Sequence, residues 1–455
     1  MKKRLLISLM LISISTISFS QVFWQEKVAG GATNRAIQQI SYADANNIWA
    51  NYFDGAAPAN VIREFTKSTD GGNTWTNGVI NVGGLNGLGS IEAISGTTAF
   101  VCTTPVAGNL GGVYKTVDSG ANWIKQPTAT FTGADAFPDF VTFWDANEGI
   151  VVGDPNPNNS GPYEIYRTLN GGVNWTRVPT ANIPPAAGPE AAYTRVFERV
   201  DNALFFGTST GRIYRSIDKG VTWTVNSTPL TDFSGAGGGK FSFKDENNGI
   251  LIPSTFDVDT TIPRLYTTTD GGVTWIDRIP NGPIRRGTNS FVKGTVNTYV
   301  SSGIDQDLGT GGSSYSIDGG LNWIDINTLG DAKNINNPSW LEFFDNTQGL
   351  ASGVCVSTSV GGIFKYVGTQ LPTIQFSSDK LFTVSPNPTS DKLNLTGENI
   401  NQVQITDLLG KVVLNNIYAT LSNVELNIAE FNSGIYMVKV TNNEGKTSVV
   451  KVVKQ

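Results

Sequence analysis

One octapeptide recurs six times along the chain, and its spacing leaves few folds open. The first copy reads Ser68-Thr-Asp-Gly-Gly-Asn-Thr-Trp75. Its acid or amide and its closing tryptophan return as Asp70 and Trp75, Asp118 and Trp123, Asn170 and Trp175, Asp218 and Trp223, Asp270 and Trp275, and Asp318 and Trp323. Successive tryptophans lie 48, 52, 48, 52 and 48 residues apart. A fixed period of this length marks a stack of equal supersecondary units.

Each unit reads as four short strands with no helical period. In the third unit, Val141-Thr-Phe-Trp144 precedes the polar turn Asp145-Ala-Asn-Glu-Gly149. Ile150-Val-Val152 follows, and Glu164-Ile-Tyr-Arg167 enters the octapeptide. A fourth strand leaves at the tryptophan, which describes a propeller blade. The octapeptide chemistry points to folding rather than catalysis. Glycine supplies positive φ, the acid bonds turn amides, and the indole fills the space between blades. Six copies on six blades cannot converge on one substrate, and Asn170 replaces one acid.

The chain ends supply a seventh blade. Val22–Lys27 resembles an outgoing strand one period before Trp75, while Leu341–Phe344, Gly349–Ser352 and Gly362–Tyr366 give three strands without an octapeptide. Pairing the termini closes the ring and removes open sheet edges. The octapeptide resembles the Asp-box, or BNR, repeat of sialidases, sortilin-type receptors and the photosystem II stability/assembly factor family. The last is nearest in texture, through Phe143–Gly153 and Tyr166–Trp175. That resemblance covers about residues 22–368 and implies a seven-bladed β-propeller without fixing a function.

The two ends carry addresses. Lys2-Lys3-Arg4, the apolar run Leu5–Ile17 and Ser18-Phe19-Ser20 form a signal peptide over residues 1–20. Its apolar run is too short to anchor in a bilayer, and no cysteine follows the cleavage site. Residues 21–368 form the propeller, 369–382 a linker, and 383–455 a small immunoglobulin-like sandwich of alternating strands. Six separate strands are expected there, over 392–396, 402–406, 411–414, 424–428, 435–440 and 447–453. This segment closely resembles the type A sorting domain of the type IX secretion system. The matching positions include Pro386, Asn387 and Pro388, then Asp407 and Gly410, Gly434 and Tyr436, and Lys451. The likeness implies recognition by the type IX machinery, passage through the outer membrane, and an extracellular or cell-surface location.

Composition excludes most enzymes. The chain of 455 residues has no histidine and two cysteines. Histidine-based hydrolase triads, His-ligated metals, four-thiolate zinc and iron–sulfur clusters are therefore out, and no cofactor or metal is expected. The formal charge of −6 includes +3 from the leader, and residues 377–455 balance seven bases against seven acids. The middle of the chain therefore carries −9, which disfavours nucleic acid as a partner.

Ligand chemistry is expected on the face opposite the octapeptides. Weak catalytic candidates there are Asp154, Asp54, Glu190, Asp257 and Asp305. Arg35, Arg195, Arg285 and Trp340 are candidate ligand contacts, with Lys240, Asp139 and Tyr193 nearby in the same loops and strand ends. Asp257 with Asp259 and Asp305 with Asp307 read as solvated loop acids rather than calcium ligands. Arg278-Ile-Pro280 imitates a sialidase motif but falls in a fourth strand, as repeat texture. Cys102 and Cys355 fall in second strands of different blades, too far apart to bridge, and are expected to be buried thiols. The leading expectation is a secreted or cell-surface binding or scaffold module, with a glycan or a surface protein as its ligand and no membrane span. The alternatives are a glycosidase using two loop-face carboxylates, or an envelope assembly factor.

Overall fold

The computed structural model describes residues 23–83, 87–105, 111–131, 137–155, 161–234, 238–254, 263–305, 310–326, 338–368, 382–407, 412–443 and 447–455, with side chains of 304, 305 and 310 excepted. The chain divides into two compact units, Met1–Thr373 and Ile374–Gln455. Almost every element is a β-strand; the described residues add one short 3-10 turn, Thr180–Asn182.

Unit one is a seven-bladed propeller. Blade one runs Arg35–Tyr42, Ile48–Asp54, Glu64–Ser68 and Thr76–Val79, each strand antiparallel to the next. Five further four-stranded blades follow, opening at Gly87, Pro138, Ala192, Gly239 and Thr288. Blade seven combines Leu341–Phe343, Gly349–Ser357 and Val360–Tyr366 with the N-terminal strand Trp24–Val28, which pairs with the last of these from Trp24↔Tyr366 to Val28↔Gly362. The ring is closed by the strand from the other end of the chain, in the outermost position.

The octapeptide joins third and fourth strands, and its bonds repeat from blade to blade. In blade one, Ser68 Oγ accepts from Gly72 N at 2.8 Å and donates to Asp70 Oδ1 at 2.8 Å. Asp70 in turn accepts from Thr74 N at 2.9 Å and from Thr74 Oγ1 at 2.7 Å. Asn170 keeps the arrangement in blade three, taking Asn174 N at 2.9 Å. The corner docks on the turn between first and second strands of its own blade, through Gly71 N to Asn46 O at 3.0 Å and Gly171 N to Asn147 O at 2.8 Å.

Two adjacent residues of each corner take positive φ, with different tolerance. The fourth position holds Ser119 (φ 67°) and Lys219 (φ 58°) in two blades. The fifth is glycine in every copy, with φ from 80° to 94°. A Cβ there would also meet the preceding blade: Phe65 for Gly120, Phe100 for Gly172, Ile150 for Gly220. Backbone sign and blade contact together demand glycine at that one place.

Seven apolar clusters fill the seven gaps between blades. Trp123 shows how they form: its ring meets Trp49 at 6.2 Å and Phe65 at 6.0 Å, both from blade one. Edge-to-face contacts of this kind add to the apolar area that each indole buries. Cys102 and Cys355 are both free and buried, in separate gaps.

Unit two differs from the sequence expectation in strand count. Segments 392–396 and 402–406 are one strand, Lys392–Asp407, and segments 411–414 and 424–428 merge into Val412–Asn427. No turn separates them because the paired ladder bends instead. Its register shifts between Thr396 and Gln402, where Asn399 (φ 56°) and, opposite, Thr420 (φ 62°) take left-handed backbone. Phe382–Ser385 pairs with the first half of the long strand, and Gly434–Asn442 with the second, followed by Thr447–Lys454. Leu393, Leu395, Val403, Ile405, Val438 and Val440 form the core of this sandwich.

Candidate ligand site in the central channel

The first strands of all seven blades line one cavity of about 780 Å³. Its wall is polar because the inner strands have edges with no strand partner, apart from the single pair Ala36↔Val354 between blades one and seven, and those amides must be satisfied by other means. Side chains of the preceding blade do this. Ser41 Oγ accepts from Ala93 N at 3.0 Å, and Glu92 Oε1 accepts from Phe143 N at 3.0 Å. Glu198 Oε2 accepts from Phe243 N at 2.7 Å, and Ser242 Oγ from Phe291 N at 2.8 Å. The hydroxyls also donate to the acids: Ser41 and Thr142 to Glu92, and Ser242 to Glu198, at 3.0 to 3.2 Å.

These residues occupy one repeat position, three before the turn that receives the octapeptide. Around the ring it holds Ser41, Glu92, Thr142, Glu198, Ser242, Ser290 and Glu342. Sequence reasoning passed over its three glutamates, although aligning the units on that turn isolates them as acids where other blades have hydroxyls. Burial raises both Glu92 and Glu198, the latter to about 8, against the pull of the amides and hydroxyls bonded to them.

First strands start on the face opposite the octapeptides, so residues ahead of this ring lie nearer that mouth. Arg195 and Lys240 stand there. Lys240 Nζ donates to the Arg195 backbone oxygen at 2.9 Å, and the Arg195 guanidinium lies 5.8 Å from the Phe53 ring of blade one. Among the described residues no carboxylate lies within ion-pair reach of either. Loss of water lowers Lys240 to about 7, helped by the Arg195 charge, and lowers Arg195 as well. Trp340 of blade seven meets Phe197 of blade four at 6.0 Å across the channel and donates to Glu342 Oε2 at 3.1 Å.

The other candidates are not gathered at this mouth. Asp154 is 4 % exposed, accepts from Ala192 N at 2.8 Å, and is in hydrogen-bond contact with Asp139 (2 % exposed). Burial, then the Asp154 charge, pushes Asp139 well up, so the two share a proton. Their contact is closer than the carboxylate spacing of either glycosidase mechanism, and neither lines the cavity. Glu190 is buried and committed to Arg212, Thr208, Thr210 and the Ala187 amide, which hold it below its usual value although burial opposes them.

Asp54 caps its own loop through Ala56 N, Ala57 N and Asn60 Nδ2. Arg35 pairs with Glu64 at 2.9 Å, and buried Arg285 reaches Asp325 at 3.4 Å. Of the expected ligand contacts, therefore, only Arg195 and Trp340 reach the channel, where Lys240 joins them. Asp257 lies outside the described residues, as do Asp259, Asp307 and the Asp305 side chain. Arg278 ends an outer strand.

In the sandwich, Asn387 acts as a surrogate strand. Its Nδ2 donates to Lys451 O at 2.8 Å and its Oδ1 accepts from Val453 N at 2.9 Å, which covers part of the edge of the terminal strand. Pro386 and Pro388 flank it. Tyr436 donates to Asn432 O at 2.9 Å and stands opposite Asp407 in the ladder, and Gly434 opens the same strand. Gly410 lies outside the described residues, as do residues 1–20, expected as a signal peptide, and residues 369–381 of the expected linker.

Comparison with known proteins agrees with this architecture. Residues 383–455 match the family described as the secretion system C-terminal sorting domain, which places the protein at the cell surface or outside the cell. No curated protein matches the sequence. A solved structure titled YCF48 bound to D1 peptide is similar at TM-score 0.51 and 17 % identity, over 77 % of this chain and 98 % of that one. YCF48 from Cyanidioschyzon merolae gives 0.51 and 16 %, over 76 % and 99 %. A Niastella koreensis GH74 enzyme gives 0.46 and 16 %, over 92 % of this chain and 66 % of that one. Among the described residues no helix is long and apolar enough to cross a membrane.

Proposed function

We propose that this is an exported binding module whose propeller takes a carboxylate-bearing ligand, such as a peptide terminus, at the channel mouth opposite the octapeptides. A signal peptide over residues 1–20 and the sorting unit deliver it, with the type IX machinery as transport partner. One observation carries the reading. Arg195 and Lys240 stand side by side in the channel with no carboxylate partner among the described residues, inside a propeller that is acidic as a whole. Cations withdrawn from water without a counter-ion are costly to keep, and an incoming carboxylate would relieve that cost with charge-assisted bonds. A propeller of the same fold with a bound peptide supports peptides as first probes.

The test compares peptides ending in a free carboxylate with the same peptides amidated, by fluorescence anisotropy. The acid form is expected to bind at least about tenfold more tightly, and Arg195→Met to abolish the difference. Equal binding of both forms would sink the proposal. Oligosaccharide hydrolysis measured alongside would replace it with the glycosidase reading.

A further inference from the structure

Lys240 differs from the other lysines of the propeller in what surrounds its amine. Lys219 reaches Glu148, Lys244 reaches Asn297 Oδ1 at 2.7 Å, and Lys365 reaches Asn73 Oδ1 at 2.9 Å. Lys67 and Lys115 donate to the backbone oxygens of Gly96 and Gly171 at 2.9 and 2.7 Å, but neither lines the channel. The Lys240 amine donates to the backbone oxygen of Arg195, with the Arg195 guanidinium as its charged neighbour, inside a cavity large enough for a small organic acid. Asn289 of the next blade donates to Lys240 O at 2.9 Å and leaves its own Oδ1 buried without a partner. Desolvation and an adjacent cation are the two conditions that turn a lysine into a nucleophile.

We propose that Lys240 and Arg195 form a capture site for a small acid that also carries an aldehyde or ketone, the lysine bonding the carbonyl carbon and the guanidinium holding the carboxylate. This rests on the carboxylate-binding reading and narrows its ligand class. The neutral amine adds its electron pair to the carbonyl carbon, the oxygen takes up protons, and water leaves as the C–O bond breaks. The product is a protonated imine, formed with net uptake of one proton and reversed by water. No oxidant or reductant is consumed. With Lys240 lowered to about 7, a substantial fraction of the amine is free at neutral pH, whereas an ordinary lysine is almost wholly protonated. The other charged groups sharing the channel wall are Glu92, Glu198, Glu342, Asp201, Arg199, Lys219, Lys244 and Lys293.

The experiment incubates the full chain with glyoxylate and cyanoborohydride, which reduces an imine to a stable secondary amine, and locates the label by peptide mapping. Lys240 is expected to label about tenfold or more faster than any other amine at pH 7, with half-maximal rate near pH 7. Lys240→Arg keeps charge and size and should bind glyoxylate without labelling. Arg195→Met should slow labelling by glyoxylate roughly tenfold more than labelling by propionaldehyde, which has no acid group and feels only the change at the lysine itself. Labelling spread evenly over exposed lysines, or retained in Lys240→Arg at another site, would overturn the capture while acid binding stood. Selective labelling of Lys240 by both probes alike, unchanged in Arg195→Met, would instead overturn the acid-binding reading.

Discussion

The octapeptide corners and the central channel use the same side-chain chemistry to opposite effect. At the corners, carboxylates sit in open turns where amides and hydroxyls converge on them. Partial burial would raise Asp70, but Thr74, Ser68 and the Asn73 amide outweigh it and hold it at about 2; Asn122 does the same for Asp118. In the channel, Glu198 accepts comparable bonds, yet burial prevails and carries it up to about 8. Water is the difference. A carboxylate in a wet turn gains from every donor, whereas a desolvated one gives back more than its donors return. Corner acids thus serve the fold at every pH a cell meets, and channel acids make the wall respond to pH.

Five variants can break or sharpen that contrast. The largest effect is expected at the fifth octapeptide position: Gly120→Val adds a β-branched side chain at φ 89° against Phe65 and should cost about 4 kcal/mol in thermal unfolding. A loss below 1 kcal/mol would mean the blades can part at that corner without penalty. Next comes Glu198. Its neutral form is favoured in the folded state, so the stability it contributes is fully present below its ordinary value near 4.5 and is lost as pH rises through about 8. Wild-type unfolding free energy should therefore fall with rising pH across that window relative to Glu198→Gln, which lacks the titration. Parallel pH profiles would show the channel to be as wet as the corners.

Smaller effects follow from single caps. Asp70→Ala should cost about 1 kcal/mol by releasing the Thr74 and Asn73 amides, and Asn387→Ala a similar amount in the sandwich by uncovering the terminal strand. Separate melts of the two units distinguish these losses. Smallest of all is Asp70→Asn, expected within about 0.5 kcal/mol of wild type because Asn170 already fills that role in blade three. A large loss there would show that charge, not hydrogen-bond geometry, holds the corner.

Legibility in the sequence followed repetition. Trp75 through Trp323 announced the blades because each corner solves the same local problem, and a local solution recurs as a motif. Closure by Trp24–Val28 was equally readable, since one period of chain was split between the two ends. The channel was not read, because Glu92 and Glu198 satisfy amides of other blades 51 and 45 residues away along the chain. Asp154 and Glu190 looked like loop acids for the same reason. Asp139 and Arg212, their partners, are close only once the strands pair and the blades stack.

The sequence alone determined the blade, the number of blades and the address carried by residues 383–455. Each depends on neighbours within a few residues or on a period that counts itself. Only tertiary structure decided which charged groups lose their water, since desolvation depends on what seven separate strands bring to one axis. In the sequence Arg195 and Lys240 stand among several ligand-face candidates, with nothing to separate them from Arg35 or Arg285. They become a candidate binding site because the ring closes around them with no carboxylate beside them among the described residues.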